Sequence, residues 1–496
     1  MIICGFKCFL LASSLCLMAQ TLLAGNLDIK NGKWKIAFNK HTQTIDYLYQ
    51  ETTLLKETFV QAINASGEVL KSSDYPIATL KRENISDTFG KGKKYTYVYS
   101  GRPGKENLEQ VFYFYPARNY LLTEAYLLSD QRTSCNWIAP VMSNTSSTFL
   151  PADGDNRLLD VPFDNDSFRG YSANPWNTSS VSCEVTAFYD ATSRQGLCLG
   201  SIEHDNWKTG ITYSSSENNC LQSLSVFGGL VDARTNDIRP EKGPAIHKHG
   251  KLYGTRIKSP KILVGFFKDW RIGMENIGEA TALITPPLPW QKGTIFAWQS
   301  WGGMADKVNY TGAIDISDYF RNKLQPAGFH NENGEVYMIL DSFWDNFNEQ
   351  QLKDFVSHCK ANGQIPGIYW TPFSFWGGEK DNWNVEGTDG KYKYGDIIIT
   401  ANGKRRKIES YALDPTHPGT LARIDWQIKR FKDWGYKYVK IDFINNAALE
   451  ADKFYNPDIT TGIQAYNYGM SYFAKACGDD LFIDLSIAPV FPSQYG

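Results

Sequence analysis

The sequence predicts a multidomain β + α/β chain, an N-terminal β-sandwich followed by a (β/α)8 TIM barrel of which about the first five βα units are present. Three observations carry this. From Asn26 to about Pro287, short runs such as KWKIAF, KYTYVYS, QVFYFYP and NYLLTEAYLL alternate apolar with polar residues between turn signals, the period of antiparallel strands with one buried face. After Gly293 the texture becomes apolar strand, polar loop and amphipathic helix in repetition, the way a parallel sheet is wound. The 496 residues exceed one ordinary domain.

Taken in order, residues 1–24 read as a secretory signal, with Lys7 ahead of an apolar run that closes on small residues near Ala24. The expected location is therefore secreted or periplasmic, with no membrane insertion of the mature chain. The sandwich spans 26–287, and the proline-rich TPPLPWQKG, Thr285 to Gly293, ends it. Helical periodicity is scarce before residue 300. The barrel part, 292–496, offers five strands: TIFAWQSW, EVYMILDSFW, IPGIYWTPF, YVKIDF and LFIDLSIAP. One connecting helix falls near Asp315 to Leu324. Another has Asn348 as cap, Leu352, Phe355, Val356 and Cys359 on one stripe and Gly363 past its end. A third runs from Pro418 to Trp434 with Leu421, Ile424, Ile428 and Phe431 inward and Gly435 as terminator. A closed barrel has eight strands, so the chain reads as C-terminally truncated.

Composition excludes some partners. A net charge of −2 gives no field to gather nucleic acid. HExxH, Walker and Gly-rich dinucleotide patterns are absent from the sequence, so neither cofactor nor metal is expected. Past the leader, Cys135, Cys183, Cys198, Cys220, Cys359 and Cys477 are scattered and read as free thiols, with one bridge among the first four left open. His247 and His249 read as a polar strand end. The acidic run Asp153 to Asp166 is either a solvated loop or one that leans over a cleft with Asp164 or Asp166 on substrate hydroxyls. The insertion Gly377 to Pro415 holds the basic cluster Lys404 to Lys407, read as a solvated hairpin. Aromatic richness, with 14 Trp, 28 Tyr and 28 Phe, suits both sugar clefts and large β cores.

Chemistry concentrates in WGYKYVKIDFINN, Trp434 to Asn446. In a strand, successive side chains point to opposite faces, so Tyr438, Lys440 and Asp442 share one face and Val439, Ile441 and Phe443 the other. The lysine–aspartate pair then sits at the strand's C-terminal end, where βα barrels build active sites. A lysine so close favours the ionised carboxylate.

In order along the strands, AWQSW (Ala297 to Trp301), LDSFW (Leu340 to Trp344), GIYW (Gly367 to Trp370) and the Lys440-x-Asp442 pattern resemble the GWNSW, IDDCW, GIYAD and KxD motifs of the α-galactosidase clan of retaining glycoside hydrolases, families 27 and 36. LDPTHP, Leu413 to Pro418, is similar too. The resemblance implies hydrolysis of terminal α-glycosidic bonds in oligo- or polysaccharides, with Asp442 as nucleophile. It implies sugar binding by Trp301, Asp341, Tyr369 and Lys440. Trp298, Trp344 and Trp370 offer further faces for a pyranose. Two departures stand out. Ser342 replaces the second aspartate of IDDCW, which opens other specificities: α-N-acetylgalactosaminidase, β-L-arabinopyranosidase or α-glucan hydrolase. The family's acid/base aspartate lies on a sixth strand, expected beyond Gly496, so Asp341, Asp345 and Asp484 are the candidates within the chain and an inactive carbohydrate-binding remnant is the competing class. Oligomeric state is not readable.

Overall fold

The structure is a computed structural model that describes residues 27–165, 170–216, 220–238, 243–246, 248–289 and 293–496. The expected leader, Asp166, His247 and Lys292 lie outside the described residues.

Two large antiparallel sheets make up the first half. One runs from the edge strand Ile29–Asn31 through Thr52–Ile63 and Trp137–Ser143 to Ser179–Cys183, and the other from Ser172–Pro175 through Tyr120–Cys135 to Ile77–Asp87. Their inner faces share one core that includes Ile36, Tyr47, Tyr97, Phe112, Phe188 and Val264. Tyr97 meets Phe112 edge-on, with ring centroids 6.0 Å apart, a geometry that adds roughly 0.5–1.5 kcal/mol beyond area burial.

One element departs from the expected all-β pattern. Helix α1 (Trp270–Ile284), capped by the Asp269 carboxylate on the Arg271 amide, lies on the outer face of the second sheet with Gly273, Ile277 and Ala280 buried. Its ridge Trp270, Met274, Ile277, Ala280 and Ile284 packs with Leu263 and Phe267, so a helical period was present before residue 300. Gly273 is required there, because a Cβ would lie 2.4 Å from Cys198 Sγ.

The second half holds five parallel strands, β1 (Ala297–Gln299), β2 (Tyr337–Leu340), β3 (Ile365–Trp370), β4 (Tyr438–Ile441) and β5 (Phe482–Leu485), in that spatial order. The connecting helices are α2 (Tyr310–Tyr319), α3 (Glu349–Ala361), α4 (Pro418–Trp434) and α5 (Gly462–Cys477). Asn348 forms a capping box with Gln351, and α3 buries Leu352, Phe355, Val356 and Cys359. α4 ends on Gly435 in the left-handed region, where glycine has no Cβ to clash; its inward ridge has Ile424, Ile428 and Phe431 buried, with Leu421 only half-buried. α2 begins earlier than expected, at an Asn309 cap, and continues as a π turn over Phe320–Leu324.

Period two splits the parallel sheet. Met338, Leu340, Ile368, Trp370, Val439, Ile441 and Ile483 join the helices in one core. Tyr337, Ile339 and Tyr438 gather on the opposite face.

The insertion after β3 has its own small core of Phe375, Val385, Tyr394, Ile397, Ile398, Tyr411 and Leu413. Thr400–Ala401 pairs with Lys404–Arg405 as a hairpin, but Arg406 is buried, which corrects the reading of this cluster as fully solvated. It enters an ionic junction between the halves. Lys208 Nζ lies 2.7 Å from Asp237 Oδ2 and 3.2 Å from Glu450 Oε1, Arg406 is 3.6 Å from Asp237, and His249 is 3.5 Å from Glu450. All five side chains are buried. The six cysteines named above are free thiols.

Candidate active site

The C-terminal ends of β2, β3 and β4 bring Asp341, Tyr369, Lys440 and Asp442 to one side of the sheet. Odd-numbered positions of β2 and β3 and even-numbered positions of β4 share a face, because Ile339 pairs with Gly367 and Gly367 with Tyr438 in the parallel register. Lys440 reaches both carboxylates, 2.9 Å from Asp341 Oδ2 and 3.9 Å from Asp442 Oδ2. Its ammonium also lies 5.6 Å from the Tyr369 ring centroid.

Each carboxylate is fixed in the same way. The Ser342 amide donates to Asp341 Oδ1 at 2.7 Å, and the Phe443 amide donates to Asp442 Oδ1 at 2.8 Å. Shortly after each aspartate comes a phenylalanine in the left-handed region, Phe343 at φ 66° and Phe443 at φ 53°. Such a conformation costs of order 1–3 kcal/mol for a residue with a Cβ and persists only where its surroundings hold it, typically at functional sites. Ser300 supports the site from the short helix that follows β1 (Ser300–Met304), its hydroxyl accepting the Asp341 amide at 2.8 Å.

Lys440 acts on Asp442 in the expected direction, but burial outweighs it. Burial pushes the Asp442 carboxyl up from its ordinary value; Lys440, the Phe443 amide and Ser486 pull it down without overcoming burial, and Asp341 pushes it up further. The physical reason is that Lys440 pairs first with Asp341, leaving Asp442 at the longer distance. Tyr369 is also pushed well up, by burial and then by Asp442 and Asp341, so its phenol remains a proton-bearing group near neutrality.

The tryptophans divide. Trp301 is half exposed and stacks on Phe343, centroids 6.2 Å apart and planes 7° apart. Trp298, Trp344 and Trp370 instead belong to the helix layer, a correction to their expected place in the cleft. Trp298 and Trp370 sit one residue out of phase with Gln299 and Tyr369, so the pleat turns them toward the helices. The Trp344 indole donates to the Tyr369 carbonyl at 2.8 Å and packs on Phe431 and Trp434, while Trp370 packs on Phe473.

Of the three carboxyl groups considered as proton donors, none has suitable surroundings. Asp341 is occupied by two donors, Lys440 and the Ser342 amide. Asp484 accepts the Tyr438 hydroxyl at 2.6 Å, and Asp345 is exposed in the turn Trp344–Asn346. Asp164 does reach the second half, but as a buried acceptor for Asn236 and Asn445 at 3.2 and 3.0 Å rather than in an open cleft.

Sequence reasoning missed Ser300, Phe343, Phe443 and Ser486. Ser486 was within reach, since it follows Asp484 by two positions and therefore shares its face. The left-handed phenylalanines carry no sequence signal.

No protein-family model matches the chain. Among solved structures, a β-arabinopyranosidase superposes with a TM-score of 0.58 at 12% identity, covering 94% of this chain and 67% of that one. An α-galactosidase from Lactobacillus brevis gives 0.56 at 10% identity, covering 94% and 70%. A family 36 α-galactosidase variant from Geobacillus stearothermophilus in complex with stachyose gives 0.56 at 10%, covering 93% and 72%. The chain has the α-galactosidase-like fold. Because over nine-tenths of it is covered, the likeness includes both the sandwich and the parallel half, and at this level of identity it is a likeness of fold.

Proposed function

We propose that the protein is a retaining exo-α-glycosidase, α-galactosidase-like, in which Asp442 is the nucleophile. The observation that carries the reading is a single ammonium, Lys440, reaching Asp341 and Asp442 beside Tyr369 at the C-terminal ends of consecutive parallel strands. The reading takes β1 to β5 as the first five strands of a barrel, 26–287 as a supporting sandwich domain, 292–496 as the catalytic domain and the location as secreted or periplasmic.

In this mechanism Asp442 Oδ2 attacks the anomeric carbon while the bond to the leaving oxygen breaks, and water later releases the sugar from the ester. The Phe443 amide holds Oδ1, which leaves Oδ2 to react. Asp341 and Lys440 hold sugar hydroxyls as acceptor and donor. Burial of Asp442 raises the energy of its charged form, and that energy is relieved as the carboxylate charge is neutralised by the new bond to the anomeric carbon and passes to the leaving oxygen. None of the four site residues is arranged to protonate the leaving oxygen, so within this chain the step is written for a leaving group such as nitrophenolate, which departs as the anion and takes any proton from bulk water.

Ser342 favours a second reading within the class, because the serine supplies one hydroxyl where a carboxylate would hold two galactose hydroxyls; one similar structure is a β-arabinopyranosidase. The occupied surroundings of Asp341 and Asp484 support an alternative class, a carbohydrate-binding protein without turnover.

A panel of nitrophenyl α-galactoside, α-N-acetylgalactosaminide, β-L-arabinopyranoside and α-glucoside tests all three, since nitrophenolate leaves with little help from an acid. The proposal expects slow release from at least one of them, lost in Asp442→Asn. Release that survives Asp442→Asn would refute it, and glycan binding with no release from any member would favour the binding protein.

A further inference from the structure

Two aromatic walls flank the carboxylates, and the mechanism above assigns a role to neither. The first is Trp301 on Phe343, at the ends of β1 and β2 beside Asp341. The second is Trp376 against Phe443, with ring centroids 5.0 Å apart and planes at 74°. Phe443 is the residue whose amide binds Asp442, so the second wall stands directly at the proposed nucleophile. Trp376 comes from the start of the insertion, next to the short pair Ser374–Phe375 with Tyr411–Ala412.

Trp376 is 52% exposed, yet it is held at two points. Its indole N–H donates to Thr371 Oγ1 at 3.2 Å, at the end of β3, and its ring meets Phe443 in a T-shaped contact past the end of β4. A large apolar face left in water is a cost that folding does not require, and a face already fixed loses little conformational entropy when a ligand covers it. A rigid, half-exposed indole beside a cluster of hydroxyl-binding groups matches the alternating apolar and hydroxylated faces of a pyranose.

We infer that Trp376, braced by Phe443 and Thr371, is the platform for the sugar unit on the leaving-group side of the scissile bond. This rests on the reading of Asp442 as nucleophile. The ring that is attacked must place its anomeric carbon over Asp442 and its hydroxyls toward Asp341 and Lys440, where Trp301 and Phe343 form the neighbouring wall. The remaining wall then faces the next unit. The insertion after β3 thereby sets a preference for oligosaccharides over small glycosides, and the chain recognises at least two consecutive sugar rings.

The test is calorimetric binding in the Asp442→Asn background, so that no sugar is turned over. Galactose, melibiose and raffinose are titrated, with glucose, maltose and maltotriose in parallel. The expected result is that the disaccharide and trisaccharide of one series bind about tenfold more tightly than its monosaccharide. Trp376→Ala abolishes that ratio, and Trp376→Tyr, which keeps an aromatic face, restores most of it. A structural role for Trp376 acting through Phe443 predicts equal losses for monosaccharide and oligosaccharide, and that outcome would overturn the inference while leaving the nucleophile assignment intact. An oligosaccharide advantage that survives Trp376→Ala also overturns it. Absence of binding to every sugar in both series would overturn this inference, whereas the nucleophile reading is judged separately by release from the nitrophenyl panel and its loss in Asp442→Asn.

Discussion

Replacing Lys208 by methionine puts the junction between the two halves under direct strain. The ammonium is fully buried, 2.7 Å from Asp237 and 3.2 Å from Glu450. Methionine keeps the volume of the stem, so the cavity effect is small; what is lost is the charge. Asp237 then retains Arg406 at 3.6 Å, and Glu450 retains His249 at 3.5 Å with the amides of Gly250 and Gly462. Removing one member of a buried ionic cluster costs about 3–5 kcal/mol. At an unfolding entropy of about 2.1 cal/mol/K per residue, a chain of 496 residues that melts as one unit loses roughly 3–5 °C in Tm. Differential scanning calorimetry gives the Tm, and guanidinium titration gives the free energy. The Lys208→Met/Glu450→Gln pair should lose less than the sum of the two single changes, because each partner is costly chiefly when the other is left alone. A single variant within about 0.5 kcal/mol of the parent, or additive losses, would refute the assignment of this cluster as a stabilising bond between the halves.

Four further outcomes follow from the geometry. Gly250→Ala sets a Cβ 1.9 Å from the Thr460 carbonyl oxygen and should lower stability more than any exposed Gly→Ala change, by about 1–3 kcal/mol, read by guanidinium titration. Trp344→Ala should cost about 3 kcal/mol of stability without altering the sugar preference measured by calorimetry, since its ring lies among Phe431 and Trp434. Burial pushes Glu450 up, but His249, Lys208 and two amides pull it below its ordinary value; its stabilisation is complete above the unfolded pKa of roughly 4.3 and is lost as pH falls through the lower folded value, so Glu450→Gln should flatten the acid side of a Tm–pH curve. Asp442 is shifted the other way, so its ionised form opposes folding: Asp442→Asn should raise Tm at pH 7, and the gain should vanish below the unfolded carboxylate pKa of roughly 3.9.

Local patterns were legible in the sequence and long-range pairings were not. The α3 cap at Asn348 and its buried stripe follow from residues within one turn of each other, and the five parallel strands follow from short apolar runs between helices. Phase was the weak point. Trp298 and Trp370 look like cleft residues by type, but a strand turns a side chain to the other face every residue, and only the register with Gln299, Gly367 and Lys440 decides which face holds the carboxylates. Arg406 resembles its exposed neighbours Lys404 and Arg405, yet it is buried by the carbonyl of Asn236 and by Asp237, contacts about 170 residues away that no local window contains. The left-handed turns at Phe343 and Phe443 were hidden because they use phenylalanine where a glycine would have announced them.

The most direct measurement of the central claim is covalent trapping at Asp442. An α-glycosyl fluoride carrying a second fluorine on ring carbon C5 is suited to it, because fluoride departs without a proton donor and the added fluorine slows release of the sugar from the ester. The expected result is one sugar per chain by intact mass, mapped by peptide fragmentation to Asp442 and absent in Asp442→Asn. A label on any other carboxylate, or hydrolysis of the fluoride with inverted configuration and no trapped ester, would contradict it.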